Sequence, residues 1–330
     1  MILVTGGTGL VGAYLLLHLA DNEMAVRAIY RSPSTIEKTK LLFKKHAKES
    51  LFSKIEWVQA DILDIPSLEI AFQNIDYVYH CAGLISFDSK DEALLRKINI
   101  EGTANIVNFC LSYNVKKLCH VSSTAALGEA LLPEYFITED IEWNPELQHS
   151  DYAISKYGAE MEVWRGYQEG LSIIIVNPGV ILGSTLWTKG SGAMFLNVKK
   201  RLPFYTNGKT GFVSAKDVVV IMTQLMRGDF DGERYCIVSQ NWTYAQTLKT
   251  MANTMKVKKP FILLLPWMSS IIWRLDGFRS FIFRSKRLLN KQTALSIHAV
   301  HNYSNHKIKN ALNYEFQSID ECIKEIIAQD

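Results

Sequence analysis

Residues 5–12 read Thr5-Gly6-Gly7-Thr8-Gly9-Leu10-Val11-Gly12, and they follow the apolar run Met1-Ile-Leu-Val4. A strand that runs into closely spaced glycines predicts a phosphate-binding turn before a helix. Gly6 can make the tight turn, Gly9 lets the backbone approach a pyrophosphate, and Gly12 lets the helix lie close to the strand. The N-terminus of that helix attracts the anion. The spacing Gly-x-x-Gly-x-x-Gly is wider than the usual dinucleotide fingerprint, so the interpretation also depends on the rest of the chain.

The composition is typical of a globular enzyme. Of the 330 residues, 48% are hydrophobic and 21% are charged, and this length predicts two domains or one large domain with an appended lobe. The net charge of +3 gives no indication of a nucleic-acid partner. Five scattered cysteines form no Cys-x-x-Cys, which favours free thiols in a reducing, cytoplasmic location over disulfides or a metal site. The apolar start is not expected to be a signal peptide, because glycines follow it after four residues.

Short apolar runs alternate with helical patterns through the first 180 residues. The predicted strands cover 1–5, 25–30, 55–60, 75–81, 117–122 and 172–177, with a later one at 234–239. The predicted helices cover 10–21, 34–48, 66–73, 91–113 and 151–168, with a later one at 215–227. Repeated β-α-β order predicts an α/β fold with a Rossmann-type, doubly wound parallel sheet that binds ligands at the carboxyl ends of its strands.

The alternation ends after Pro178. We expect a dinucleotide-binding domain over 1–180, which the segment 213–240 rejoins. We expect a smaller, mostly helical substrate lobe from 181–212 and 241–330.

One Tyr-x-x-x-Lys is formed by Tyr152 and Lys156. The same string also occurs at Tyr113/Lys117, Tyr205/Lys209 and Tyr303/Lys307. Only Tyr152 and Lys156 fall on a well-patterned helix, where an offset of four residues puts both side chains on one face. The preceding strand delivers Ser122-Ser123-Thr124 to the ligand edge of the sheet.

This arrangement predicts a proton donor tuned by a cation. A free tyrosine has a pKa of about 10 and is a poor base at neutral pH. A nearby lysine ammonium would favour the phenolate, and lowering the pKa by about three units requires roughly 4 kcal/mol. A serine hydroxyl beside the tyrosine would hydrogen-bond the substrate oxygen. The alternative is a surface tyrosine and lysine on an amphipathic helix.

The succession of motifs resembles the extended short-chain dehydrogenases/reductases, in the NAD-dependent epimerase/dehydratase superfamily. The motifs that carry the resemblance are residues 5–12, Asp61-Ile62, Cys81-Ala82-Gly83, Asn99-Ile-Glu-Gly-Thr103, Ser122-Ser123-Thr124, Tyr152-x-x-x-Lys156, Asn177-Pro178-Gly179-Val180 and Phe212-Val213-x-x-x-Asp217. The local sequence is most similar to the dihydroflavonol-reductase and hydroxysteroid-dehydrogenase branch, including Glu139-Asp140-x-x-Trp143-Asn144-Pro145.

The resemblance implies roles for individual residues. Tyr152 would be the acid/base, and Lys156 would tune it and hold the nicotinamide ribose. The family's active-site hydroxyl often lies five residues before a glycine, which gives Ser123 from Gly128, with Thr124 as the second candidate. The remaining cofactor contacts would be the glycine-rich turn with Thr8, Leu10 and Val11, then Asp61 and Ile62 at the adenine, Ala82 and Gly83 beneath the ribose and phosphates, Asn99 near the site, and Asn177, Pro178, Gly179 and Val180 beside the nicotinamide. Asp61 could instead merely cap a turn, and Asn177 with Pro178 could simply end a strand.

The choice of nicotinamide cofactor depends on the end of the second strand. An acidic residue there would bind the ribose hydroxyls of NAD, but this strand ends in Tyr30-Arg31-Ser32. Arg31 can pair with a 2′-phosphate, so NADP is favoured and NAD is the alternative.

The substrate is expected to be a moderately apolar carbonyl compound or alcohol. Relatives that act on nucleotide sugars usually carry an arginine just ahead of the Phe-Val pair, whereas this chain reads Asn207-Gly-Lys-Thr-Gly-Phe-Val213. The second lobe is rich in large apolar residues, which could line a substrate pocket or equally form the core of the lobe. They are Leu186, Trp187, Met194, Phe195, Phe204, Tyr205, Phe261, Trp267 and Trp273.

We therefore predict an NAD(P)-dependent reductase/dehydrogenase. The alternatives are a nucleotide-sugar epimerase or dehydratase with tightly bound NAD, and a non-catalytic NADP-binding sensor. The segment 256–291 is basic and aromatic and could touch a membrane surface, although a lid helix with solvated charges is favoured. A homodimer is suggested by the resemblance alone.

Overall fold

The computed structural model describes residues 1–130, 132, 135–184, 186, 188, 190–282 and 290–329, with 280–282 described by their backbone only. Trp187 and the part 283–289 of the basic segment lie outside these residues. The strands are β1 Ile2–Thr5, β2 Val26–Tyr30, β3 Ile55–Gln59, β4 Tyr77–His80, β5 Lys117–Val121, β6 Phe136–Ile137, β7 Ile173–Pro178, β8 Val180–Leu182, β9 Phe204–Tyr205, β10 Lys209–Ser214, β11 Glu233–Ile237, β12 Gln240–Thr243, β13 Ile262–Leu263 and β14 Asn302–Tyr303.

The helices lie between these strands and after them. They are α1 Leu10–Asp21, α2 Ile36–Lys45, α3 Glu49–Phe52, α4 Ile65–Ala71, α5 Glu92–Leu95, α6 Gly102–Ser112, α7 Asp151–Gln168, α8 Ser191–Lys199, α9 Ala215–Arg227, α10 Tyr244–Thr254, α11 Pro266–Ile282, α12 Lys291–Ser296, α13 His306–Leu312 and α14 Ile319–Ala328.

The main sheet has seven parallel strands in the order β11-β7-β5-β4-β1-β2-β3. The chain runs outward from β1 to β3 and then returns to add β4 on the other side of β1. This reversal creates a crevice at the carboxyl ends of β1 and β4, where open α/β sheets bind ligands. The predicted Rossmann-type fold is confirmed, and β11 joins the sheet beside β7.

Apolar side chains cover both faces of the sheet, which explains the nearly continuous apolar runs of its strands. Leu15, Leu16 and Leu19 of α1 pack on one face together with α9. Ile106 of α6 and Val163 of α7 pack on the other face.

Two predicted helices are interrupted. The predicted helix 34–48 ends at Lys45, because Ala47 has φ +54° and the amide of Lys48 bonds back to the Phe43 carbonyl at 2.9 Å. This is the left-handed termination that often closes a helix. The predicted helix 91–113 contains a π-helical segment, Arg96–Glu101, between α5 and α6.

The C-terminal part of the chain is mostly helical but contains a second sheet, β12-β10-β8. Helices α10 and α14 pack around it, and Phe195 of α8 is fully buried among them with Met194 alongside. Phe195 and Met194 therefore form part of the core of the lobe rather than the lining of a pocket. The proposed division into two domains stays a prediction.

No helix in the described ranges is both long and apolar enough to cross a bilayer.

Candidate active site

The glycine-rich turn has the shape that a phosphate cradle needs. Gly6 has φ +68°, and a Cβ atom there would lie 2.6 Å from the Ala82 amide nitrogen. A Cβ atom at Gly12 would lie 2.2 Å from the Gly6 carbonyl oxygen. Gly9 is the N-cap of α1 and supplies no side-chain cap, so the first amides of α1 are left to bind an anion. The turn therefore fits a dinucleotide pyrophosphate.

Replacing Gly6 by alanine is expected to weaken cofactor binding and to lower the free energy of unfolding by at least about 2 kcal/mol, because the backbone conformation is left-handed and the added Cβ clashes with main chain. Cofactor titration and thermal unfolding measure the two effects. Gly170→Ala is the matched control, since Gly170 has φ +98° but nothing within 4 Å of an added Cβ. It should show the strain without the loss of cofactor affinity. Equal cofactor affinity in both variants would contradict the cradle.

Ser123 and Tyr152 meet at the carboxyl end of β5. The Ser123 side chain hydrogen-bonds to the half-buried Tyr152 hydroxyl. The Ser123 Oγ also accepts the Ala125 amide at 3.1 Å, which leaves its own proton to donate. Thr124 is instead hydrogen-bonded to Tyr303. The geometry thus favours Ser123 over Thr124 as the hydroxyl beside the tyrosine.

Lys156 lies one turn after Tyr152 on α7. Its Nζ donates to the Val121 carbonyl at 2.7 Å, and burial lowers the pKa of Lys156 to about 8. A Cβ atom at Gly83 would lie 3.8 Å from Lys156 Nζ and 3.3 Å from Asn99 Oδ1. Lys156, Gly83 and Asn99 therefore come together at the crevice between β1 and β4.

We expected Lys156 to lower the pKa of Tyr152, but in the chain alone this pKa is raised. Burial raises the pKa of Tyr152, and the hydrogen bond with Ser123 opposes that rise. The expected direction was wrong because the loss of water around the phenol outweighs the stabilisation of its ionised form. The chain alone therefore keeps the phenol of Tyr152 in its neutral form at neutral pH.

Asn99 lies in the π-helical segment, a feature that often marks a functional position. Its Oδ1 accepts the Leu84 amide at 2.7 Å, and its Nδ2 donates to the Leu84 carbonyl at 3.0 Å and to Ser155 Oγ at 2.9 Å. The side chain is buried. Asn99 thus ties the loop after β4 to the helix that carries Tyr152 and Lys156.

Residues 177–180 connect β7 to β8. Asn177 is fully buried and donates its amide to the Ser123 carbonyl at 3.0 Å. Pro178 is also buried, whereas Gly179 and Val180 are partly exposed. Asn177 therefore holds the main chain of Ser123 in place, and the expected contact of residues 177–180 with the nicotinamide stays a prediction.

The remaining predicted cofactor contacts lie along the same edge of the main sheet. Asp61 Oδ1 accepts the Leu63 amide at 3.0 Å, so its side chain does cap a turn, and Ile62 is buried. The Ala82 amide donates to Thr5 Oγ1 at 3.2 Å. Arg31 is exposed directly after β2. Thr8, Leu10 and Val11 are partly buried around the start of α1.

Sequence reasoning missed Glu160, the most buried charged group at the site. Its carboxylate accepts hydrogen bonds from Ser122 and from Asn177, the latter at 2.5 Å, and pairs with Arg234 at 3.4 Å. Burial raises the pKa of Glu160, and Lys156 one turn earlier opposes that rise. The continued four-residue spacing from Tyr152 through Lys156 to Glu160 was a signal that could have identified it.

Sequence reasoning also missed a hydrogen-bonded chain behind the crevice. His80 Nδ1 lies 2.7 Å from Thr5 Oγ1, and His80 Nε2 lies 3.0 Å from Thr103 Oγ1, which donates to the Asn99 carbonyl. Burial lowers the pKa of His80 to about 3, so the ring is neutral and can donate from one nitrogen and accept at the other. This chain links the glycine-rich turn to the asparagine.

On the open side of Tyr152 lies Phe87, which was also missed. Its ring centroid is 5.6 Å from that of Tyr152 in an edge-to-face contact, and it is partly exposed, as is Ile85 in the same loop. Phe87 therefore places an exposed apolar ring beside the side chain of Tyr152.

Comparison with known proteins agrees with this architecture. The sequence model of the NAD dependent epimerase/dehydratase family matches residues 2–237. The chain therefore belongs to this family, the extended short-chain dehydrogenases/reductases.

Similar proteins include a sterol demethylase protein and a cinnamoyl-CoA reductase. The chain is 27% identical over 266 residues to sterol demethylase protein B of Methylococcus capsulatus, covering 80% of this chain and 77% of that protein. It is 25% identical over 265 residues to a cinnamoyl-CoA reductase of Medicago truncatula, covering 76% of this chain and 79% of that protein. Among solved structures, that of gox2253 superposes with a TM-score of 0.81 at 23% identity, covering 100% of this chain and 97% of that one.

Proposed function

We propose that this protein is an NAD(P)-dependent reductase/dehydrogenase that interconverts a carbonyl group and an alcohol on a moderately apolar small molecule. The observation that carries the proposal is the hydrogen-bonded Ser123–Tyr152 pair beside Lys156, at the sheet edge where the glycine-rich turn also ends. A bound nicotinamide ring supplies or accepts the hydride. Ser123 hydrogen-bonds the substrate oxygen, and Tyr152 donates its phenolic proton to that oxygen during reduction.

Lys156 has two tasks in this proposal. Its ammonium binds the ribose hydroxyls and stabilises the phenolate that remains when Tyr152 has given up its proton. Because the pKa of Lys156 is about 8, the ammonium is present below that pH and is lost above it. Reduction is therefore favoured at neutral and mildly acidic pH.

Two observations favour an apolar carbonyl compound over a nucleotide sugar. The first is the exposed aromatic ring of Phe87 against Tyr152. The second lies directly ahead of Phe212, where a Cβ atom at Gly211 would approach Val238 Cγ2 to 2.6 Å. No arginine side chain fits at that position to bind a diphosphate.

The test is a panel of aromatic and aliphatic ketones, aldehydes and alcohols, monitored at the absorbance band of the reduced nicotinamide. A reductase consumes reduced cofactor in proportion to product. An epimerase or dehydratase would instead keep a co-purified cofactor that does not exchange, with no net consumption, and a sensor would bind the cofactor without turnover. Either result would overturn the proposal.

Arg31 is proposed to select NADP through its 2′-phosphate. A hydrogen bond to a charged group contributes about 1.5–3 kcal/mol, so Arg31→Ala is expected to lower NADPH affinity by roughly 10- to 100-fold. The affinity for NADH is the internal control and should not change. Tighter binding of NADH than NADPH by the unaltered protein would contradict this preference.

A further inference from the structure

Helix α11 presents an apolar surface outward and a polar surface inward. Its outward side chains, Trp267, Ile271, Ile272, Leu275 and Phe278, are between 37 and 66% exposed. Most of them recur at the three- and four-residue spacing of one helix face. Facing inward, Ser269 and Asp276 are buried, and Ser269 Oγ lies 2.7 Å from His298 Nε2. This is the reverse of the usual arrangement in a globular protein.

The apolar surface extends onto the segment before the helix. Phe261, Leu263 and Leu265 are exposed, and Leu263 pairs with Tyr205 through the β13–β9 ladder. The exposed Leu202 lies just before β9. We call this set of exposed apolar side chains on α11, on 261–265 and at Leu202 the α11 surface. Continuous exposed apolar surfaces of this kind mark interaction sites.

The α11 surface is bordered by cations. Exposed basic residues lie beside it in sequence and along it, and in the described part of the chain they form no salt bridge. They are Lys199, Lys200, Arg201, Lys256, Lys258, Lys259 and Arg274. Lys258 Nζ lies 4.4 Å from the ring centroid of Phe261, and the Arg274 guanidinium lies 4.7 Å from that of Trp273. Apolar and cationic groups are therefore interleaved.

Acidic residues are absent from the same stretches of sequence. No Asp or Glu occurs between Glu169 and Asp217, and between Glu233 and Glu315 the only one is Asp276, which faces inward and pairs with Arg279 at 2.8 Å. The whole-chain charge of +3 conceals this local excess of cations. An occupant that is both apolar and negatively charged therefore complements the α11 surface.

We propose that the α11 surface docks on an anionic lipid bilayer, with the outward apolar side chains of α11 in the interface and the surrounding lysines and arginines at the headgroups. A helix with a broad apolar face bordered by basic residues and aromatic rings is the kind that lies in the plane of a membrane surface. The attraction of each lysine near an anionic surface is worth about 1 kcal/mol, or about fivefold in binding. The sequence analysis favoured a lid helix with solvated charges for this segment. The exposed apolar side chains of α11 favour peripheral membrane contact instead.

The test is co-sedimentation of the full chain with vesicles of phosphatidylcholine alone and of phosphatidylcholine mixed with phosphatidylserine. We expect the protein to pellet with the mixed vesicles only, and less as ionic strength rises. Leu275→Ser with Phe278→Ser should weaken binding by at least about tenfold, because two apolar side chains no longer enter the interface. Lys258→Glu with Lys259→Glu should weaken it by more than about tenfold.

Matched controls separate these effects from folding and from net charge. Ile70→Ser alters an equally exposed side chain on α4, and Lys44→Glu with Lys54→Glu makes the same charge change away from the α11 surface. Both should bind vesicles like the unaltered protein, and all variants should share its thermal unfolding temperature. Absence of pelleting, equal pelleting with neutral vesicles, or a self-associated form that only Leu275→Ser with Phe278→Ser dissociates would each overturn the proposal.

Discussion

Replacing Tyr152 by phenylalanine is expected to lower the turnover number by about 10²- to 10⁴-fold, which is the usual contribution of a positioned general acid. The phenylalanine ring keeps its edge-to-face contact with Phe87, whose ring centroid is 5.6 Å away. Only the hydroxyl that hydrogen-bonds Ser123 is lost. Cofactor affinity should stay unchanged, because the glycine-rich turn and Lys156 are untouched.

The matched control is Tyr157→Phe on the same helix. Tyr157 stacks on Trp143 with ring centroids 4.5 Å apart, on the side of α7 away from the crevice, so its hydroxyl has no part in the proposed reaction. Turnover in the Tyr157 variant should match that of the unaltered protein. The two turnover numbers are measured with the best substrate of the carbonyl panel. Unchanged turnover in Tyr152→Phe would remove the acid/base role and, with it, the proposed chemistry.

The sequence was most informative where local patterns dominate. Helix α7 was predicted with its observed bounds, because Ser150 caps it and accepts the Ala153 amide at 3.1 Å. The glycines of the turn were recognisable because close main-chain contacts exclude any side chain at Gly6 and Gly12. Both cases depend on interactions within a few residues or on a residue type that nothing else replaces.

The features that sequence reasoning missed depend on distant partners. The pairing of Arg234 with Glu160 brings together residues 74 positions apart, and no local pattern links Arg234 to the helix that carries Glu160. The pKa of Tyr152 also depends on burial, which no single strand or helix determines. The π-helical segment at Asn99 was also missed, because the sequence predicts one continuous helix over 91–113 there.

Glu160 is expected to act as a positioning residue for Lys156 and Ser123. It is fully buried, and its charge raises the pKa of Lys156, whereas burial lowers it. Through Asn177, which donates both to Glu160 and to the Ser123 carbonyl, the same carboxylate also holds the main chain that carries the proposed active-site hydroxyl. Removal of the charge should therefore alter the pH profile and not only the rate.

Glu160→Gln is expected to shift the basic limb of the kcat/KM profile to lower pH. The ammonium of Lys156 is present below its pKa of about 8 and lost above it. Without the neighbouring carboxylate, the pKa of Lys156 falls further, so the active form is lost at lower pH. The free energy of unfolding should also fall, by about 3 kcal/mol, because Arg234 loses its buried partner.

Two further variants assign the basic limb to Lys156 and exclude a general effect of helix charge. Lys156→Arg keeps a cation at any accessible pH, so the basic limb should disappear from whatever activity this variant retains. Glu162→Gln removes a carboxylate from the same helix, but Glu162 pairs with Arg165 at the surface, where such pairs contribute at most about 1 kcal/mol. Its pH profile should match that of the unaltered protein. If Glu160→Gln left the basic limb in place while Lys156→Arg removed it, the pKa of Lys156 would be independent of Glu160, and the buried carboxylate would be a packing feature alone.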